Sequence, residues 1–175
     1  PGSVDIDKIM KYKNCGINRI SIGLQSTSDR ILDLIGRKHT YSDFQMTYTS
    51  FLAAGYDNIN VDIIDGLPGQ SYDDFVETVD LVAQSRPAHI SVYSLSISEG
   101  SDFYKRLDEI SGLLPDDETE RNMYHYAREK FISTGMKQYE ISNFSVPGKE
   151  CIHNINCWKG MQYYGFGAEI GRAHV

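Results

Sequence analysis

The chain alternates short runs of β-branched residues with longer stretches of helical period, and this rhythm limits the folds open to it. The runs are INRISIGL at 17–24, NINVDII at 58–64 and HISVYSL at 89–95. They recur at roughly 35 residues, with an amphipathic helix pattern in each gap; links of that length make crossovers, not hairpins, so the strands pair in parallel. The expected class is therefore α/β. An open doubly wound sheet and a section of an eight-stranded barrel both satisfy the rhythm, and periodicity alone does not separate them.

The helices have legible ends. Ser28 is placed to open SDRILDLIG, with Ile31, Leu34 and Ile35 on one face and Gly36 as the stop. Thr40 or Ser42 opens the next helix, with Phe44, Tyr48 and Leu52 at four-residue spacing and Gly55 at its end. Ser71, with Asp74 three residues on, has the form of a capping box before Phe75, Val79 and Val82. After Leu95 the rhythm breaks. A turn at 99–101, a short helix from Asp102 to Glu109 and a helix from Glu118 to Thr134, capped by Asp116 or Asp117, are expected. An extended piece, YEISNF at 139–144, and a loop carrying His153, Asn154, Cys157 and Trp158 complete the reading.

Charge and cysteines narrow the function classes. With 17 Lys and Arg against 24 Asp and Glu, the formal charge is −7, which disfavours non-specific binding to nucleic acid or an anionic membrane. Cys15, Cys151 and Cys157 are odd in number and widely spread, so they do not form a disulfide framework, and a reducing, cytoplasmic setting is expected. There is no apolar run of membrane-spanning length and no signal-peptide pattern at Pro1–Asp7.

Ligands of parallel α/β folds sit at the C-terminal ends of the strands. Gln25 ends the first strand; its amide could grip a ribose, an amino acid or an adenine edge, or simply cap the loop. Asp62 stands between Val61 and Ile63, where a carboxylate needs a partner: a ligand hydroxyl or ammonium, or a structural cation such as Arg37. The GLPG at 66–69 lacks the ending of a phosphate-binding loop, and His39, His89 and His125 are scattered in the sequence. The spacing Cys151-x-His153-x3-Cys157 offers only three ligands, short of the usual zinc set. There is no nucleophile motif with an evident base.

Seven phrases in order carry a resemblance: RISIGLQS, GRKHT, NVDIIDGLPGQS, HISVYSL, QYEISNF, PGKECIHN and YYGFGA. Together they resemble the radical S-adenosylmethionine (SAM) family of oxygen-independent coproporphyrinogen III oxidases, and within it the oxidase-like branch of haem chaperones. The resemblance runs from about Gly16 to Ala168. It implies a partial (β/α)6 barrel of TIM type that holds a [4Fe-4S] cluster and SAM. The strands ending near Gln25, Asp62 and Leu95 would be the fourth to sixth of that barrel, so residues 1–100 would be its C-terminal half and 101–168 a helical and extended C-terminal region.

The resemblance also assigns residues. Gln25 and Asp62 would take the SAM ribose hydroxyls or nearby polar atoms, Arg37 the methionyl carboxylate, and Ser96, through its backbone, the adenine. His153 would bind haem or lie near it, although Cys157 stands where the branch pattern His-Asn-x-x-Tyr-Trp has Tyr. The family's Cys-x3-Cys-x2-Cys cluster motif is absent, which places the cluster ligands upstream of Pro1, leaves no metal site in this chain and makes it, alone, inactive.

The implied function is haem or porphyrin metabolism, with haem chaperoning towards membrane respiratory proteins first. Oxidative decarboxylation of coproporphyrinogen III is second, and a non-catalytic haem-binding module is the alternative of another class. Partners would be a small-molecule substrate or haem and haem-acceptor membrane proteins, not nucleic acid, in the cytoplasm or at the membrane periphery. Residues 169–175, EIGRAHV, look like the translation of a sequencing adapter and are expected to be non-biological.

Overall fold

The computed structural model describes residues 1–165. The expected tail at 169–175 lies outside the described residues, as does the end of the 101–168 region. Three parallel strands, β1 (Ile20–Gln25), β2 (Ile59–Asp65) and β3 (His89–Ser94), lie in that order in one sheet. Between them run α2 (Asp29–Leu34), α3 (Tyr41–Ala53) and α4 (Tyr72–Ser85). The sheet continues past β3 with an antiparallel pair, β4 (Lys137–Glu140) and β5 (Asn143–Ser145), so that its order is β1-β2-β3-β5-β4. The remaining helices are α1 (Ile6–Asn14), the short α5 (Asp102–Lys105) and α6 (Leu107–Ile110), α7 (Asp117–Ser133) and α8 (Ile152–Trp158).

The helix starts follow the capping rules. Thr40 and Ser71 each close a full capping box, with Asp43 and Asp74 as the reciprocal acceptors. Asp116 caps α7 by accepting from Thr119 N–H at 2.8 Å. Three expectations change. Residues 152–158 are helical rather than loop, the short helix expected at 102–109 is broken at Arg106 into α5 and α6, and 139–144 is not one extended piece but parts of two strands that turn at Ile141 and Ser142.

The two sheet faces differ in chemistry. Ile22 and Leu24 of β1, Ile59, Val61 and Ile63 of β2, Ile90 and Val92 of β3 and Phe144 of β5 form one buried apolar layer. Against it pack Ile9 of α1, Phe44 and Phe51 of α3, Phe75 and Val79 of α4, and Met123, Ala127 and Phe131 of α7. Burying each large side chain of this layer is worth about 1.5–3 kcal/mol. The alternate residues, Ser21, Gly23, Asn60, Asp62, His89 and Ser91, point to the opposite face. A doubly wound sheet would bury both faces under helices. One apolar layer under helices and one polar face are what the wall of a barrel presents.

Candidate functional site

The site is built from the polar face and the strand ends above it. Register sets Gly23 opposite Asp62, Asn60 opposite His89, and Ser91 opposite Asn143. Asp62 is half-buried and takes its partners from this face, not from Arg37. The Asn60 amide donates to Asp62 Oδ1 at 2.7 Å and to Ser21 Oγ at 2.7 Å. Ser21 Oγ in turn donates to Asp62 Oδ2 at 2.8 Å. Each Asp62 oxygen thus carries one hydrogen bond and keeps acceptor capacity for another.

The chain of bonds continues inward with its directions fixed. A carboxylate only accepts, so the Asn60 NH2 faces Asp62 and its carbonyl faces His89. His89 Nδ1 lies 2.6 Å from that carbonyl oxygen and must therefore carry the proton. Nε2 is then the acceptor, and the Tyr139 hydroxyl donates to it at 2.6 Å. Tyr139 accepts in turn from the Cys151 N–H at 3.2 Å, where α8 begins. Burial pushes His89 down to about 3, helped by the charge of Arg19, so the imidazole stays neutral. Ser91 Oγ lies 3.0 Å from Asn143 Oδ1 and 3.2 Å from Asn60 Oδ1, and Asn143 donates to Glu140.

Gln25 closes β1 in an unusual way. Its φ is 70°, in the left-handed region that a non-glycine residue enters at a cost, and the β1–β2 register shifts between Gly23 and Gln25. The side chain folds back over Gly23. A Cβ at position 23 would stand 2.6 Å from Gln25 Nε2, so only glycine leaves the amide its place. Gln25 is 8% exposed and its Oε1 is buried without a hydrogen-bond partner among the described residues.

Arg37 is exposed on the loop after Gly36 and lines an open cleft of about 710 Å³ with Gly23, His39 and Asp43. His39 Nε2 donates to the Leu24 carbonyl at 3.2 Å, which holds this loop against the end of β1. Burial lowers the His39 pKa. The structure thus brings Gln25, Asp62 and Arg37 around Gly23. Ser96 is exposed beyond the end of β3, and His153 is exposed on α8, 3.6 Å from Cys157 Sγ and edge-on to Tyr163 at 5.0 Å. The loop at 66–69 is braced rather than open: Gln70 accepts from Leu67 N–H and donates to the Ile64 carbonyl, while Arg30 donates to the Gly69 carbonyl.

Two groups escaped the sequence reading. The Asn60–His89–Tyr139 chain depends on cross-strand register; the only sequence signal was Asn60 standing two residues from Asp62, on the same face. Asp65, at the end of β2, is fully buried, and neither side-chain oxygen meets a donor in good hydrogen-bond geometry among the described residues. Desolvation pushes its pKa up to about 7, Ser94 offsets this in part, and the Glu120 charge adds to it. Among the described residues no group of three His, Cys, Asp or Glu side chains is placed to hold a metal ion. No described helix is long and apolar enough to cross a membrane.

Comparison with known proteins agrees with this geometry. Residues 1–82 match the model of the radical SAM superfamily. The Heme chaperone HemW of Bacillus subtilis is 35% identical over 168 residues, 96% of this chain and 44% of the relative. That of Synechocystis sp. is 35% identical over 167 residues, 95% of this chain and 40% of the relative. The structure of Escherichia coli coproporphyrinogen III oxidase (HemN), a radical SAM enzyme, superposes with a TM-score of 0.75 at 19% identity, over 93% of this chain and 37% of that one. The chain is a radical SAM superfamily protein with an α/β fold like the partial barrel of that oxidase. It is homologous to the branch containing HemW and HemN and closely related to the HemW haem chaperones, and it spans less than half the length of these relatives.

Proposed function

We propose that this chain is the SAM-holding C-terminal half of the barrel, strands four to six, in a longer protein of haem metabolism whose role is that of a haem chaperone. One observation carries the reading: a buried, unpartnered amide oxygen on Gln25, laid over Gly23 in a strained backbone, beside an Asp62 carboxylate that keeps one acceptor position on each oxygen. Two spare carboxylate acceptors match the two hydroxyls of a ribose, and the Arg37 guanidinium in the adjoining cleft suits a carboxylate. These residues fit SAM. SAM held by these residues would supply radical chemistry together with a [4Fe-4S] cluster carried by thiolates of the longer protein. This chain's own part is to bind and orient it. Gln25 and Asp62 hold the ribose, Arg37 the amino-acid end and the Ser96 backbone the adenine.

Haem is the proposed cargo, with His153 as its contact, and haem-accepting membrane proteins are the proposed destination. The relatives named as haem chaperones support this assignment over decarboxylation of coproporphyrinogen III. The test is SAM binding by the longer protein with Asp62→Asn. Hydrogen bonds to a charged group are worth about 1.5–3 kcal/mol, so the expected loss is about 10- to 150-fold in affinity with the fold retained. Unchanged SAM binding would rule out the ligand role of Asp62. Turnover of coproporphyrinogen III by the same protein would overturn the chaperone assignment in favour of the oxidase.

A further inference from the structure

We propose that His89 is a positioning residue for the SAM site: it acts through Asn60 to fix which atoms Asp62 presents to the ligand, and Tyr139 sets the proton that makes this possible. The inference rests on the proposed role of Asp62.

The Asn60 amide can sit in two orientations related by a flip, and they have opposite consequences. In the orientation observed, NH2 meets Asp62 Oδ1 and Ser21 Oγ, each at 2.7 Å. Flipped, the carbonyl would face Asp62 Oδ1, two acceptors would meet and the carboxylate would lose its Asn60 donor. The side facing away from Asp62 makes the choice. His89 Nδ1–H, at 2.6 Å, needs a carbonyl there, and the single Ser91 hydroxyl proton is shared between that carbonyl at 3.2 Å and Asn143 Oδ1 at 3.0 Å.

His89 offers that donor only in one tautomer. The Tyr139 hydroxyl selects it by donating to Nε2 at 2.6 Å, and the backbone N–H of Cys151 occupies the Tyr139 oxygen so that its proton points to the histidine. His89, Asn60 and Ser91 are 0%, 3% and 2% exposed, so water does not substitute for the links among these three. The outcome reaches the ligand face as a carboxylate held by two donors, with one acceptor position on each oxygen in a fixed direction. None of His89, Asn60 and Tyr139 needs to touch the ligand.

The experiment uses the intact longer protein and reads SAM dissociation constants by equilibrium dialysis for His89→Asn and His89→Leu, with a thermal melt of each. Asn can place an N–H where Nδ1 stands but leaves a void, whereas Leu fills the volume and offers no donor. A positioning role predicts that His89→Leu weakens SAM binding about tenfold while His89→Asn stays within about threefold, the value of one buried hydrogen bond. A purely structural role predicts the reverse order, because packing favours Leu, and that order would overturn the proposal. A measurement that needs no variant is the ¹⁵N spectrum of the His89 ring. It should show protonated Nδ1, unprotonated Nε2 and no titration between pH 8 and about pH 5; an Nε2-protonated ring would overturn the proposal even if a variant failed to fold. If Asp62→Asn leaves SAM binding unchanged, the reading of the site itself fails. If Asp62→Asn weakens binding and the Leu and Asn variants rank in the structural order, only the positioning role fails.

Discussion

Two buried groups of opposite character, Asp65 and His89, should make the pH dependence of stability deceptively flat. Asp65 holds its proton in the folded state up to about 7, against a reference of 3.8. Between those values the folded chain binds more protons than the unfolded one, so stability falls as pH rises through the window. His89 does the opposite: its folded value of about 3 lies below the reference of 6.5. There the unfolded chain binds more protons, so stability is present above 6.5 and is lost as pH falls towards 3.

Each group alone contributes a slope of about 1.4 kcal/mol per pH unit inside its window, and the slopes cancel from about pH 4 to 6.5. Replacing Asp65 with Asn keeps the shape and removes one slope. Integrated from pH 4.5 to 8, the stability of Asp65→Asn relative to the parent should rise by about 3 kcal/mol. The variant's own curve should climb by about 2 kcal/mol from pH 4.5 to 6.5, as His89 requires. Urea unfolding followed by circular dichroism at pH 4.5, 5.5, 6.5 and 8 measures both. Parallel curves for the two proteins would refute the reasoning, because they would mean that Asp65 ionises alike in the folded and unfolded chains.

Other perturbations follow from the same geometry. Gly23→Ala puts a methyl carbon 2.6 Å from Gln25 Nε2, so the amide must leave its place; SAM affinity of the longer protein should fall about tenfold by loss of an oriented hydrogen bond, and unchanged affinity would remove Gln25 from the site. Anaerobic loading of this 175-residue chain with iron and sulfide should give no stoichiometric [4Fe-4S] cluster by EPR and iron count, since Cys15 is exposed after α1, Cys151 is buried and Cys157 lies on α8. Ser71→Ala removes the cap of α4 and should cost about 1 kcal/mol in urea unfolding. Phe131→Ala, in the fully buried α7 face, should cost about 3–5 kcal/mol.

The elements that the sequence made legible are those whose signal is local. Thr40 with Asp43 and Ser71 with Asp74 announce their helices, and the apolar runs give the parallel strands to within a few residues at each end. α8 was hidden because CIHNINCW has two isoleucines, two asparagines and no side-chain cap at Cys151. The β4–β5 turn was hidden because Ile141 and Ser142 carry none of the usual hairpin residues. In the site, Gln25 and Asp62 stood out as polar residues at strand ends or inside apolar runs. Asp62's partners did not, because Ser21 is 41 residues away and only the parallel register brings it close. Asp65 carried no local signal beside the GLPG that follows it, and its burial at the end of β2 comes from tertiary packing alone.

The cross-strand polar chain also has a consequence for how the sheet assembles. Apolar packing alone tolerates a slide of two residues, which returns Val61 and Ile63 to the layer under the helices. The Ser21–Asp62, Asn60–His89 and Ser91–Asn143 links do not. Moving any strand by a single residue would turn its polar set into the layer under the helices and strand each partner without a bond. The chain therefore works as a set of alignment pins. β1, β2, β3 and β5 reach a low-energy state only when all are seated in one offset, and a mispaired sheet carries several buried, unmatched polar groups that drive it to release and try again.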